Sequence, residues 1–454
     1  MKAVQKKRLV VLGGGESGVG AAILGKVRGY DVFLSDSGTI APHFRSQLET
    51  EGIAYEHEGH TPELILNADE AVKSPGIPPT APIVMQLKEK GVPVISEIEL
   101  AGRYTDSKMV CITGSNGKTT TTMLIYHILR SAGIDAGLAG NVGKSLALQV
   151  ARDPHQVYVV ELSSFQLENM YDFKANVAVM LNITPDHLDR YEYHMQNYVN
   201  AKFRIIQNMT PQDAFVFWQD DPVIRRQLER VETEARLIPF AETEEENTKA
   251  YIDAENELVI NAENQPLVMP RADLALNGLH NLYNAMAAGL SATLLHVKND
   301  DIRRALSDFE GVEHRLEYVD TVDSVRWIND SKATNVNSCW YALESMPESR
   351  STVLILGGKD KGNDYSEILP LVQRKVKTIV AMGLHNEKIE EFFGSNVPVI
   401  STHSLAEAVD AARKSASEGD TVLLSPCCAS FDLFSSYEER GTLFKQAVKT
   451  LKQV

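Results

Sequence analysis

The stretch Ile112-Thr113-Gly114-Ser115-Asn116-Gly117-Lys118-Thr119-Thr120 carries the working parts of a phosphate-binding loop, spelled in an unusual way. The common pattern, G-x-x-x-x-G-K-[ST], asks for a first glycine where this chain has Ile112. The rest is intact. Lys118 can reach the β- and γ-phosphates of a nucleoside triphosphate, and Thr119 can hold Mg²⁺. Amides from Ser115 to Thr119 can cradle phosphate oxygens at a helix N-terminus.

A second glycine cluster, Gly13-Gly14-Gly15-Glu16-Ser17-Gly18, matches G-x-G-x-x-G. Asp36 follows at roughly the spacing of the ribose-binding carboxylate in dinucleotide folds. Taken alone this favours NAD or FAD. A nucleotide-sugar diphosphate satisfies the same physics, since the loop reads pyrophosphate and ribose, and a tight turn without ligand is a third reading.

Other candidates follow strands. Val157–Glu161 ends in a carboxylate, with Ser163 just beyond, and a carboxylate facing a phosphate loop suits a magnesium site. Asn182-Ile183-Thr184-Pro185-Asp186-His187-Leu188-Asp189-Arg190 is dense in polar groups, and His187 is a candidate metal ligand. Lys202 lies on an expected helix and reads by itself as a solvated lysine. Asn329–Asn335 and Gly357–Gly362 are lysine-bearing loops suited to carboxylates and phosphates.

These loops need rigid supports. Short apolar runs ending in glycine or polar residues, at Leu9–Leu12, Asp31–Asp36, Met109–Thr113, Val157–Glu161, Val177–Thr184, Val353–Leu356, Lys377–Met382 and Thr421–Leu424, predict strands separated by helices. Such alternation implies mostly parallel sheets covered by helices, with ligands at the carboxyl ends of strands. The pattern restarts near Ser96 and near Gly311. The expectation is three α/β domains: residues 1–96 and 312–454 Rossmann-like, and 97–311 a central P-loop ATPase domain. The acidic stretch Glu242–Asn264, with a hairpin in AYIDAENELVI, reads as surface.

Composition narrows the function. With 454 residues, 43% hydrophobic, 23% charged and a net charge of −16, the chain is an ordinary globular protein and a poor general nucleic-acid binder. Four cysteines without a C-x-x-C pair argue against zinc or a disulfide framework. No signal-peptide core or membrane-length apolar run occurs, so a cytoplasmic location is expected. Nothing requires an oligomer, and a monomer is the expectation.

Together GSNGKTT, Glu161, NITPDHLDR, LHNLYNA (Leu279–Ala285) and GVEHR (Gly311–Arg315) resemble the Mur ligase family, whose ATP loop lacks the first glycine. Within it, NDSKATN and LLSPCCASFDLF resemble the members that add D-glutamate. The resemblance implies ATP-driven amide formation on UDP-MurNAc-L-Ala through an acyl phosphate, with two Mg²⁺ ions. It implies that Gly114, Ser115, Asn116, Gly117, Lys118, Thr119, Thr120, Asn281, Arg315 and Asp330 bind ATP. The implied metal shell is Thr119, Glu161, Ser163, His187 and a carbamylated Lys202. Lys118, Glu161, His187 and Lys202 are the implied catalytic group. The first glycine cluster becomes a UDP-sugar site, with Gly15, Ser17, Asp36, Ser37, Gly76 and, from the central domain, Asn141. Lys332, Thr334, Lys361, Ser430, Phe431 and Tyr437 match positions around D-glutamate, Lys359 being the alternative to Lys361. Two departures stand out: Gly38 where an arginine can occur, and Tyr437 where a phenylalanine can. An NAD(P)-dependent oxidoreductase and a catalytically silent binding protein are the rival classes.

Overall fold

Runs such as RLVVL and VYVVE are apolar on both faces, which suits strands covered by helices on either side. The computed structural model builds these strands into three sheets and describes residues 6–186, 188–262, 265–276, 278–360 and 362–453. The chain divides into two compact units, Met1–Leu274 with Tyr283–Phe309, and Ala275–Leu282 with Glu310–Val454.

The first unit holds two sheets. One has five parallel strands in the order Ala54–Glu56, Asp31–Ser35, Arg8–Leu12, Glu70–Lys73, Val94–Ile95. The larger has nine strands. Its parallel heart runs Ala214–Trp218, Val177–Met180, Lys108–Thr113, Val157–Glu161, Ala136–Gly140. The strand feeding the phosphate loop is therefore central. Ile112, the residue that breaks the common motif, is fully buried in that strand and paired with Glu161 and Val179.

The acidic stretch after Glu242 is more than surface. Ala250–Ile252, Glu257–Ile260 and Leu267–Pro270 extend the large sheet as an antiparallel edge. Leu258 and Ile260 are core residues. Composition was misleading here because charged turns and outward positions outnumber the few inward ones.

The second unit is a six-stranded sheet in the order Glu317–Val322, Val325–Asn329, Thr421–Cys427, Thr352–Gly357, Val376–Met382, Val399–Thr402. The first pair is antiparallel and the rest parallel. Among the described residues no helix is long and apolar enough to cross a membrane. All four cysteines are buried free thiols.

Candidate active site

The phosphate loop leaves Lys108–Thr113 and enters the helix Lys118–Ser131. Two left-handed glycines make the bend, Gly114 at φ 151° and Gly117 at φ 83°. A Cβ at Gly117 would lie 2.5 Å from Asn284 Oδ1. Asn284, in the LHNLYNA run, also accepts from Thr121 Oγ1 at 3.1 Å.

The loop is pinned by the NITPD segment. Ser115 N donates to Asn182 O (2.8 Å), and Asn116 N to Asn182 Oδ1 (2.8 Å). Ser115 Oγ donates to Thr184 O at 2.8 Å and accepts from Thr184 N at 2.9 Å. The amides of Ser115 and Asn116 are thus spent on the scaffold. The cradle is narrower than the sequence implied and falls on the helix N-terminus, where amides lack intrahelical partners. Thr119 and Thr120 are buried in that first turn.

Two lysines converge on the loop. Lys118 Nζ donates to Gly114 O and Ser115 O, each at 2.9 Å. Lys202, on the helix Met195–Phe203, donates to the same Gly114 O at 2.7 Å. Lys202 is 1% exposed, so the expectation of a solvated lysine fails. Its amine lies 4.6 Å from the centroid of the Tyr198 ring. Burial, reinforced by the Lys118 charge, holds its ammonium well below the usual lysine range.

Glu161 ends the neighbouring strand and is also 1% exposed. Its Oε1 accepts from Asn141 Nδ2 at 2.7 Å, while its buried Oε2 has no hydrogen-bond partner. An orphaned buried carboxylate oxygen is costly unless a cation or donor meets it. That oxygen and the Thr119 hydroxyl are hard donors of the type Mg²⁺ takes. Among the described residues no cluster of three His, Cys, Asp or Glu ligands exists. Ser163 caps the short helix Ser164–Leu167, accepting from Gln166 N and donating to Gln166 Oε1. His187 and Lys361 lie outside the described residues.

The first glycine cluster is built differently. Gly18 lets the helix Glu16–Val27 approach its own loop, since a Cβ there would lie 1.9 Å from Gly13 O. Asp36 reaches back, its two oxygens accepting from Gly14 N (2.6 Å) and Gly38 N (2.7 Å). Each oxygen keeps a further lone pair for a ligand hydroxyl. Gly15 is open and Ser17 half-buried. Ser37 and Gly76 line a 540 Å³ cavity with His60, Ile77, Pro78 and Gln86.

The second unit carries its own constellation. Asp330 follows the strand Val325–Asn329, accepting from Ser425 Oγ (2.9 Å) and Leu316 N (3.2 Å). Burial pushes its carboxyl up to about 7, against the pull of Arg315. Arg315 Nε is buried without a hydrogen-bond partner, and Asn281 is buried. The Lys332 ammonium lies 5.3 Å from the Tyr437 ring centroid. Thr334 is half-buried, Ser430 buried, and Phe431 66% exposed. Lys359 is exposed.

Arg440, missed from the sequence, organises this unit. It is 0% exposed. Its Nε and Nη2 donate to Ser331 Oγ and O at 2.9 and 2.8 Å, and its Nη groups to Cys428 O at 3.3 Å. It thereby ties NDSKATN to SPCCASFD. Asn182, Thr184 and Asn284 were inside recognised runs, but their pinning role depends on contacts distant in sequence.

A parallel α/β core with a glycine–lysine loop at the carboxyl end of its central strand defines a nucleoside-triphosphate-binding class. Family comparison narrows it. The Mur ligase middle domain matches residues 112–292, the Mur ligase glutamate ligase domain 314–428, and the MurD N-terminal domain 8–83. The chain belongs to the Mur ligase family and is an ATP-dependent ligase of peptidoglycan-precursor synthesis. It is 60% identical over 449 residues to the UDP-N-acetylmuramoylalanine--D-glutamate ligase of Bacteroides fragilis, covering 98% of this chain and 100% of that protein. The enzyme of the same name from Porphyromonas gingivalis is 56% identical over 98% of this chain and 99% of its own length. In fold, it is similar to a pseudomurein peptide ligase type C from Methanothermus fervidus (TM-score 0.64, 19% identity, 98% of this chain and 100% of that one). UDP-N-acetylmuramate-alanine ligase MurC from Thermotoga maritima gives TM-score 0.61 at 18% identity over 98% of this chain and 99% of that one.

Proposed function

We propose that this ligase adds D-glutamate to UDP-N-acetylmuramoyl-L-alanine. Full-length identity of 60% to a ligase of that name supports the substrate pair. The observation that carries the chemistry is the meeting of Lys118, buried Lys202 and the orphaned Glu161 oxygen beside or behind one phosphate loop.

In this reading residues 1–96 bind the sugar nucleotide through Gly15, Ser17, Asp36, Ser37 and Gly76, with Asn141 contributing from the central domain. Residues 97–311 bind ATP on Gly114–Thr120, and residues 312–454 bring the amino acid. Asn281, Arg315 and Asp330 contact the nucleotide. Lys332, Thr334, Lys361, Ser430, Phe431 and Tyr437 surround D-glutamate. An L-alanyl carboxylate oxygen attacks the γ-phosphorus, and the bond to the β–γ bridging oxygen breaks, releasing ADP. The deprotonated amine of D-glutamate then adds to the acyl carbon. The tetrahedral species collapses with loss of phosphate. A bare carboxylate is a poor acyl donor, so phosphorylation supplies the leaving group, and the site aligns anions and neutralises their charge.

Thr119, Glu161, Ser163, His187 and Lys202 would hold two Mg²⁺ ions, which supply charge neutralisation between phosphate and carboxylate. A buried amine kept neutral is the form that adds to CO₂, releasing a proton and leaving a carbamate anion. Carbamylation of Lys202 would turn a cation into an anionic ligand. The enzyme works as a cytoplasmic monomer on small-molecule substrates.

The test is phosphate release with ATP, Mg²⁺ and UDP-N-acetylmuramoyl-L-alanine, offering amino acids one at a time. D-Glutamate should give the stimulation. Stimulation by another amino acid and none by D-glutamate would overturn the assignment.

A further inference from the structure

Lys73 ends the strand Glu70–Lys73 and is 2% exposed. Its ammonium donates to Ser74 O (3.2 Å) and Ile77 O (2.8 Å). Arg190, from the turn of 3₁₀ helix Leu188–Tyr191, donates through Nη2 to Pro75 O (3.1 Å) and to the same Ile77 O (3.3 Å). Its guanidinium lies 4.1 Å from the centroid of the Phe165 ring. Two cations thus share one carbonyl. The Ser74–Ile77 turn does not need them for closure, because Ile77 N already donates to Ser74 O at 3.1 Å.

Accounting for the turn's donors shows what the cations do. Pro75 and Pro78 have no N–H. Ser74 N donates to Leu12 O at 2.9 Å, and Ile77 N is used inside the turn. Gly76 N–H is left, without a partner among the described residues. A Cβ at Gly76 would meet nothing within 4 Å, and Gly76 lines the cavity shared with Ser37. The turn abuts the first glycine loop, since a Cβ at Gly13 would lie 2.3 Å from Ser74 Oγ. The Pro75 carbonyl and the Gly76 N–H belong to one planar trans unit and point in opposite directions. Holding Pro75 O with a guanidinium therefore fixes where the Gly76 N–H points and strengthens it as a donor.

We propose that Lys73 and Arg190 are positioning residues that present the Gly76 N–H to a phosphate oxygen of the sugar nucleotide. The proposal rests on the reading of the first domain as the sugar-nucleotide site. Both cations also add a positive field behind a turn that would face a diphosphate. Burial, with the charges of Arg190 and Lys88, lowers the Lys73 ammonium to about 8, and Glu168 opposes the shift. The positive charge therefore fades as pH rises through about 8.

The experiment is calorimetric titration of the full chain with UDP-N-acetylmuramoyl-L-alanine from pH 7 to 9, for wild type, Lys73→Met and Arg190→Gln, together with steady-state kinetics. Wild-type affinity should fall severalfold across this range. Lys73→Met should bind about tenfold more weakly at pH 7, with a flat pH profile. Its KM for the sugar nucleotide should rise while kcat and the KM for ATP stay within about twofold. Arg190→Gln should weaken binding at all pH values and keep the wild-type slope. Binding by Lys73→Met within twofold of wild type, or with the same pH slope, overturns the proposal. If Lys73→Met does not fold, a flat wild-type profile overturns it alone, and a falling profile that Lys73→Arg makes flat supports it. Absence of wild-type binding at every pH overturns instead the sugar-nucleotide reading beneath it.

Discussion

Two glycine loops in this chain share a plan and differ in charge. Each leaves a buried parallel strand, bends at a left-handed glycine and enters a helix. The loop at Gly13–Gly15 carries no cation of its own, and Asp36 ties it from a neighbouring strand. The loop at Gly114–Gly117 carries Lys118, faces Lys202, and borders the strand that ends in Glu161. In the proposed reading the first holds an anion unchanged. The second concentrates opposed charges in a buried space, which suits moving a phosphoryl group. Similar backbone, then, does not define the chemistry; the ionisable groups brought to it do.

The sharpest way to break this contrast is to remove the charge from the second loop. Lys118→Ala should lower kcat by about a thousandfold or more, the order seen when a phosphate-stabilising group is lost. Its thermal unfolding should stay close to wild type, because its ammonium donates to carbonyls of its own loop, Gly114 O and Ser115 O. Steady-state phosphate release measures the first and calorimetry the second. A loss below tenfold would place the chemistry elsewhere. Lys202→Ala should be nearly inactive and partly rescued by short carboxylates such as formate or acetate. Full activity without rescue would sink the carbamate role.

Much of this contrast was legible in the sequence because it is local. G-x-G-x-x-G and GSNGKT announce bends at strand ends, and Ile112 reads as part of the buried strand that feeds a shorter loop. What the sequence hid is long-range. Lys202 looks solvated in NAKFRI, yet packing against the loop buries it. Arg440 and Arg190 sit in polar stretches, and only the fold reveals that they grip carbonyls far along the chain. The hairpin after Ala250 was legible in AYIDAENELVI, but its place on the edge of the large sheet, with Leu258 and Ile260 in the core, was not, because that pairing with Arg236–Thr243 depends on the fold.

Backbone geometry offers a subtler test. Gly117→Ala forces a Cβ onto φ 83° and to within 2.5 Å of Asn284 Oδ1. It should destabilise the protein by about 1–3 kcal/mol and raise the KM for ATP. Gly15→Ala, where a Cβ meets nothing within 4 Å, should leave the thermal midpoint almost unchanged. Equal stability losses would mean that the two loops are strained alike. Asp36→Ala should sit between them, raising the KM for the sugar nucleotide about tenfold through the loss of its charge-assisted hydrogen bonds to Gly14 and Gly38, with kcat little changed.

The group that joins the two regions is open to a test by pH. Glu97 accepts from Ser145 Oγ and Ala147 N, each at 2.6 Å, and Glu16, in the helix after the first loop, accepts from Ser145 N. Burial pushes the Glu97 carboxyl up to about 7. Between its ordinary value of 4.5 and 7 the folded protein keeps a proton that the unfolded chain has released. Raising pH through that window therefore costs stability, and the loss levels off above 7. In Glu97→Gln the amide oxygen can still accept from Ser145 and Ala147, and nothing there titrates. Relative to wild type, the variant should gain about 1–3 kcal/mol of stability between pH 5 and pH 8, read from denaturant midpoints at the two values. Parallel wild-type and variant curves would show that Glu97 is ionised throughout, and that the joint between the anion-holding and phosphate-transferring regions carries a permanent charge.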